Sequence, residues 1–251
     1  MRKLILNLIL VVSFFFISCE NTDNRINVGS DDGNVTNVVA KTNLSIGELH
    51  NNYLDSLYNY LEQQSDLDVK NIDSYTRQYF NSIDNGSDAI EYYNYVLNDQ
   101  PVDYVLSDEF KNEIENLDIS LQNADFENLN EFEDYVMNYT PIYITNSIEL
   151  KGWSYYTDIL THSVSYWATN IDKWDNLIDT PVTLADKQPC KEGDWWKRTW
   201  CNIKRYGAKD AGAGATKIVV LLLESSAIVF GPVAGAALGA SVGAILVDLI
   251  F

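Results

Sequence analysis

Few side chains in this sequence could do covalent or acid–base chemistry. The chain holds 3 cysteines and 2 histidines among its 251 residues, against 36 carboxylates. Cys190 and Cys201 have ten residues between them. A zinc site would need further Cys or His ligands at short spacings, and neither His50 nor His162 stands near the pair. Two thiols so placed read as a disulfide closing a small loop, in any compartment where disulfides persist. His162 follows Asp158 by one helical turn, the spacing of an acid–base dyad; a single His with one Asp on a helix reads here as a structural pair. Gly212-Ala213-Gly214 precedes Thr216-Lys217, but the order is not that of a phosphate loop. No nucleophile elbow is present, and no pair of carboxylates stands out. The expectation is a non-enzyme: no catalytic residue, no metal, no cofactor.

The third cysteine has a different setting. Arg2 and Lys3 open the chain, and Leu4–Ile17 follow, apolar except for Asn7 and Ser13; Ser18-Cys19 then gives way to Glu20-Asn21-Thr22-Asp23. Charged start, apolar stretch and a small-residue boundary make the order of a secretory signal. The apolar run of 14 residues is short of the ~20 that span a bilayer. Phe16-Ile17-Ser18-Cys19 resembles the lipobox of bacterial lipoproteins, with Phe16 in place of the usual Leu. That resemblance implies a signal peptide over 1–18, lipidation of Cys19, and a chain held at the cell envelope by acyl methylenes worth ~0.8 kcal/mol each.

Charge is sorted along the chain. Residues 20–186 carry 7 basic and 31 acidic side chains, whereas 187–217 carry 8 basic and 3 acidic; beyond 217 only Glu224 and Asp248 are charged. With a formal net charge of −19 overall, nucleic acid is excluded as a main partner, because phosphate binding needs a basic footprint. The divisions expected are a polar tether over 19–44, an acidic body over 45–180, a basic aromatic collar over 181–210 and an apolar tail over 211–251. Gly29-Ser30-Asp31-Asp32-Gly33-Asn34 in the tether is a loop signal; it lacks the ligand alternation of a calcium loop.

The elements that position these residues read as helices. Ile46, Leu49, Tyr53, Leu57 and Leu61 are spaced by threes and fours, as are Ile72, Tyr75, Tyr79, Phe80 and Ile83. Phe110, Ile114, Leu117 and Leu121 follow the same rule, and so do Phe126, Leu129, Phe132, Val136 and Tyr139. A long segment over 145–174 carries Trp153, Tyr156, Leu160, Val164, Trp167 and Trp174. Ser107 stands where an N-cap belongs, and Pro101 and Pro141 fall between periodic segments. Strand alternation is scarce. The fold class expected is all-α: an irregular bundle of five to seven helices followed by a C-terminal apolar helical hairpin. The many tyrosines read as core edges, ring inside and hydroxyl in water.

The tail has the sharpest pattern. Gly231, Gly235, Gly239 and Gly243 are four residues apart, and Ala236, Ala240 and Ala244 form a second column beside them. Helical glycines cost about 1 kcal/mol each relative to alanine, so the flat face they make must let another backbone come close. Ala211–Phe230 and Val233–Phe251 are each about 30 Å long as helices, near the thickness of a bilayer, with Gly231-Pro232 between them. Glu224 and Lys217 are the exceptions to the apolar character of the first arm. Just upstream, Trp195, Trp196 and Trp200 are interleaved with Lys197, Arg198, Lys204 and Arg205, residue types that favour the membrane interface.

On these residues the tail resembles the glycine-zipper domains of bacterial outer-membrane lipoproteins, and the Gly-rich membrane-active segments of some bacteriocin-like peptides. The acidic, Asn- and Tyr-rich helical body is similar to lipoproteins of the Bacteroidota. These resemblances imply a lipid-anchored envelope protein of the outer membrane, on its periplasmic or surface face. Its partners would be membrane lipid and a second copy through the glycine face, and its tail would insert into a membrane or pack against it. The alternative is a secreted pore-forming lipoprotein toxin.

Overall fold

Five of the nine described α-helices start on a side chain that accepts a hydrogen bond from the first turn, the arrangement that satisfies otherwise orphaned N–H groups. The computed structural model describes residues 44–100, 106–124, 126–177, 194–223 and 230–250, all within one unit, Thr36–Phe251. Ser45 and Glu48 form a reciprocal capping box ahead of α1 (Ile46–Glu62). After α2 (Ile72–Ser82) and α3 (Gly86–Leu97), Ser107 caps α4 (Asp108–Asn123) by accepting from Phe110 N at 3.1 Å. Asn128 and Asn146 cap α5 (Leu129–Asn138) and α6 (Ser147–Asp175) in the same way. Asp194 caps α7 (Trp195–Asn202). A π turn, Ile203–Gly207, then carries the chain directly into α8 (Ala208–Leu223), and α9 spans Phe230–Ile250.

The protein is all-α, and among the described residues there is no strand. The apolar stripes expected from the sequence are the buried faces: Leu54, Leu57 and Leu61 of α1, Phe110 and Leu117 of α4, Phe132 and Val136 of α5, and Ile159, Val164 and Trp167 of α6 are all essentially inaccessible. Several tyrosines, Tyr79, Tyr92, Tyr93 and Tyr156 among them, are buried more deeply than the core edges expected. The Tyr93 ring is buried edge-on to Phe80 (5.6 Å between centroids) with the Arg77 guanidinium on it, while its hydroxyl donates to Asp73 Oδ1 at 2.6 Å.

Two features differ from the sequence reading. The tail is not an appendage: α9 lies against α1, α3 and α8. It is buried along 231–246 on every side, apart from half-buried Pro232. An acidic body built of one-sided stripes has a gap at its middle, and a helix apolar all round is what fills it. The second difference is continuity. Collar and first arm, read as separate segments meeting at 210/211, form one uninterrupted helical stretch from Trp195 to Leu223, with the π turn within it. Whether α8 and α9 make the expected hairpin turns on residues 224–229, which lie outside the described residues; the two helices do pack on each other.

Buried acids fasten the loops. Glu149 accepts from Ser107 N (3.2 Å), Ser107 Oγ (2.8 Å) and Asn146 Nδ2 (2.8 Å). Ser107 therefore both caps α4 and ties it to the start of α6. Ser107→Ala is expected to cost about 1–2 kcal/mol, read as a lower urea midpoint with an unchanged slope; an unshifted midpoint would remove this cap from the account.

Candidate functional site

The glycine column meets α3. A Cβ placed on Gly239 would lie 2.0 Å from Ala89 O and 2.9 Å from Tyr93 N, both backbone atoms. One on Gly235 would lie 3.0 Å from Asn85 O, and one on Gly243 2.9 Å from Val96 Cβ and 3.2 Å from Tyr93 O. At Gly231 the obstacle is the Asn85 side-chain amide, at 2.3 Å. Position 231 thus meets 85, 235 meets 85 and 88, 239 meets 89 and 93, and 243 meets 93 and 96, so α3 and α9 run parallel, with backbone on backbone at Gly239. The close approach expected of the column is present, and its partner is a helix of the same chain. Lys217 of α8 closes the arrangement through an ion pair with Asp88 of α3 at 2.5 Å, both side chains mostly buried. That partner accounts for one of the two charges in the first arm; Glu224 lies outside the described residues.

Behind α9, on the side away from α3, stands a polar cluster within an otherwise apolar core. His50 (α1), Ser163 (α6), Asp210 (α8) and Ser241 (α9) are each 0% exposed. His50 Nε2 is 3.1 Å from Ser241 Oγ and 3.8 Å from Asp210 Oδ2. Ser163 Oγ donates to Asp210 Oδ2. Asp210 Oδ1 and the Trp167 indole nitrogen are buried without a hydrogen-bond partner. Burial lowers the His50 imidazole to about 4, against the hydrogen bond to Asn51 and helped by the charge of His162. Burial likewise raises the Asp210 carboxyl to about 7, opposed by Ser163, Ser241, Trp167 and the positive charge of Lys209.

Serine, histidine and aspartate in one cluster invite comparison with a nucleophilic triad, and the geometry differs from one. In a triad the carboxylate holds one imidazole nitrogen while the serine uses the other. Here Asp210 and Ser241 both face Nε2, and Nδ1 is engaged by Asn51 Oδ1 at 3.0 Å. Every member is sealed from solvent. The cluster can hold a proton and pin four helices together.

No family model, no curated protein and no solved structure matches the chain. The site therefore has to be read from its own geometry.

The remaining residues singled out in the sequence fall as follows. Cys19 and Cys190 lie outside the described residues. Cys201, half-buried on α7, is disulfide-bonded. Trp195, Trp196 and Trp200 are half-buried, while Lys197, Arg198 and Lys204 are exposed. The side chain of Arg205 lies outside those described. Trp196 docks edge-on against Phe126 (4.8 Å) next to Phe132 and Trp200, and the Lys204 ammonium sits 4.7 Å from the Trp200 ring centre. The collar rings are thus partly spent on the body, leaving the cations outward. Asp158 and His162 do come together (Oδ1 to Nδ1, 3.4 Å), yet Asp158 Oδ2 accepts from Gly47 N at 2.8 Å and Asn51 Nδ2 donates to His162 O at 3.0 Å. This pair fastens α6 to the start of α1. Among the described residues, no group of His, Cys, Asp and Glu could hold a metal ion, and no helix is long and apolar enough to cross a membrane.

The sequence reading missed the His50–Asp210 cluster. Its signal was available: His50 sits four residues after Ile46 within an apolar stripe, and Ser241 sits four residues from both Ala237 and Ile245. Polar residues in phase with a buried face mark buried polar contacts.

Proposed function

We propose that this chain is a lipid-anchored cell-envelope protein with a structural or interaction role and no catalysis of its own. Acyl chains on Cys19 hold it to the membrane, the tether over 19–44 spaces it from the lipid, and the helical body works in the aqueous phase. The observation that carries the role of the body is the occupied glycine column. The face most suited to close helix contact is filled by α3 of the same chain, so the tail serves as the central strut of the body and attachment falls to the N-terminal cysteine. The exposed cations of α7 suit a face turned toward anionic headgroups. Insertion of the tail, as a pore-former requires, would first have to separate α9 from α1, α3 and α8.

Cys19→Ser tests the anchor. The variant is expected to move from the detergent-extracted fraction to the soluble one and to lose incorporation of labelled fatty acid; a variant that stays membrane-bound and labelled overturns the anchor. Dye release from phospholipid vesicles by the purified full-length protein would overturn the structural role in favour of the pore-forming one.

A further inference from the structure

The hydrogen-bond directions around His50 can be assigned from its neighbours. Asn51 Nδ2 donates to His162 O at 3.0 Å, which turns Asn51 Oδ1 toward His50 Nδ1, also at 3.0 Å. An amide oxygen only accepts, so Nδ1 carries the hydrogen. Nε2 is then the free nitrogen, and it accepts from the Ser241 hydroxyl at 3.1 Å. A second proton on the ring would point at Ser241 and, 3.8 Å away, at Asp210 Oδ2. Asp210 in turn has Ser163 on Oδ2, while no group, the nearby Trp167 N–H included, meets Oδ1 in hydrogen-bonding geometry. An ionised carboxylate with one oxygen bare in an apolar interior is costly, and a neutral acid is far less so.

We propose that His50 and Asp210 hold a single proton between them, resting on Asp210, and so pin the central helix α9 at constant charge over mildly acidic pH. The geometry supplies the pairing: both groups are fully buried, both face Ser241 of α9, and each lies on a different flanking helix. The other ionisable groups facing the cluster are few. From α6 come His162 and Asp158, which pair with each other. From α8 itself comes Lys209. Residues 231–247 of α9 contribute none. This inference is independent of the lipid anchor.

The signs make the pairing compensatory. His50 is lowered from 6.5 to about 4 in the folded chain, so by itself it removes stability as pH falls from about 6.5 to 4. Asp210 is raised from 3.8 to about 7, so by itself it adds stability as pH falls through about 7 toward 4, and loses it as pH rises. Over the same window the two responses oppose each other and largely cancel.

Separating the partners exposes each response. Urea unfolding of the full chain at pH 8 and pH 5 is compared for wild type, Asp210→Asn and His50→Gln. Relative to wild type, acidification is expected to lower the folding equilibrium of Asp210→Asn by about 100-fold and to raise that of His50→Gln by about 30-fold. Two variants that both follow the wild-type pH slope, or that deviate in the same direction, overturn the proposal. Should either variant fail to fold, nitrogen chemical shifts of the wild-type histidines decide. His50 is expected to stay neutral with its hydrogen on Nδ1 at pH 6, whereas an imidazolium there overturns the assignment.

Discussion

Gly239→Ala is expected to destabilise the protein by about 3 kcal/mol, the upper part of the range for forcing an extra methyl into a filled interior. The added Cβ would meet Ala89 O at 2.0 Å and Tyr93 N at 2.9 Å. Both are backbone atoms inside α3, so relief requires moving a helix rather than turning a side chain. The sign is the informative part. On an exposed helix the same replacement stabilises by about 1 kcal/mol, because alanine is the better helix former. Gly235→Ala, facing Asn85 O at 3.0 Å, should cost less than Gly239→Ala. Denaturant midpoints of the two variants check the order, and a Gly239→Ala protein more stable than wild type would end the parallel α3–α9 contact. Larger side chains sharpen the distinction from self-association. Gly235→Leu with Gly239→Leu is expected to unfold the body, whereas a column serving only a second copy would leave the monomer folded.

The second large effect is expected at Glu113. This side chain is fully buried on α4. It accepts from Ile142 N at 2.7 Å, Tyr143 N at 2.6 Å and the Tyr139 hydroxyl at 3.0 Å. One carboxylate thus holds the backbone N–H groups of Ile142 and Tyr143 in the loop between α5 and α6. Glu113→Ala strands all three donors at once and should cost about 3 kcal/mol. Glu113→Gln keeps one accepting oxygen and turns an N–H toward the remaining donors, so it should fall between. Loss of amide-exchange protection at Ile142 and Tyr143, together with a lower unfolding midpoint, is the expected signature. Retained protection in Glu113→Ala would show that the loop is held by other means.

Local order was legible because helices announce themselves locally. The stripe from Ile46 to Leu61 needs only its own spacing to declare a buried face, and Ser107 needs only the three residues after it to become a cap. The glycine column declared a close backbone contact for the same reason: four unfavourable residues at one phase demand an offsetting gain. What spacing cannot carry is the identity of the partner. Nothing around Ala89 marks α3 as the helix that Gly239 will touch, since a small residue in a Tyr-rich stripe has many uses. For that reason the tail, read alone, suited a bilayer as well as a protein interior: both offer an apolar surround, and only tertiary packing distinguishes them. His50 and Asp210 are 160 residues apart in sequence. Their meeting is a property of the assembled helices α1 and α8: phase within a stripe marks His50 as buried, and nothing near it in sequence marks Asp210 as its neighbour.

The π turn over Ile203–Gly207 holds one residue more than the α-helical path it replaces. Each residue of a helix turns the chain by about 100° about its axis, so the length of this short insertion sets the direction in which every side chain of α8 points. At its present length Asp210 arrives beneath Ser163 and His50. Shortened by a single residue there, the chain would keep every residue of α8 and aim the carboxylate about a quarter-turn away. The wiring of this interior is therefore written partly in a number, the count of residues through one turn, and tolerance to exchange of letters there need not extend to a change in their tally.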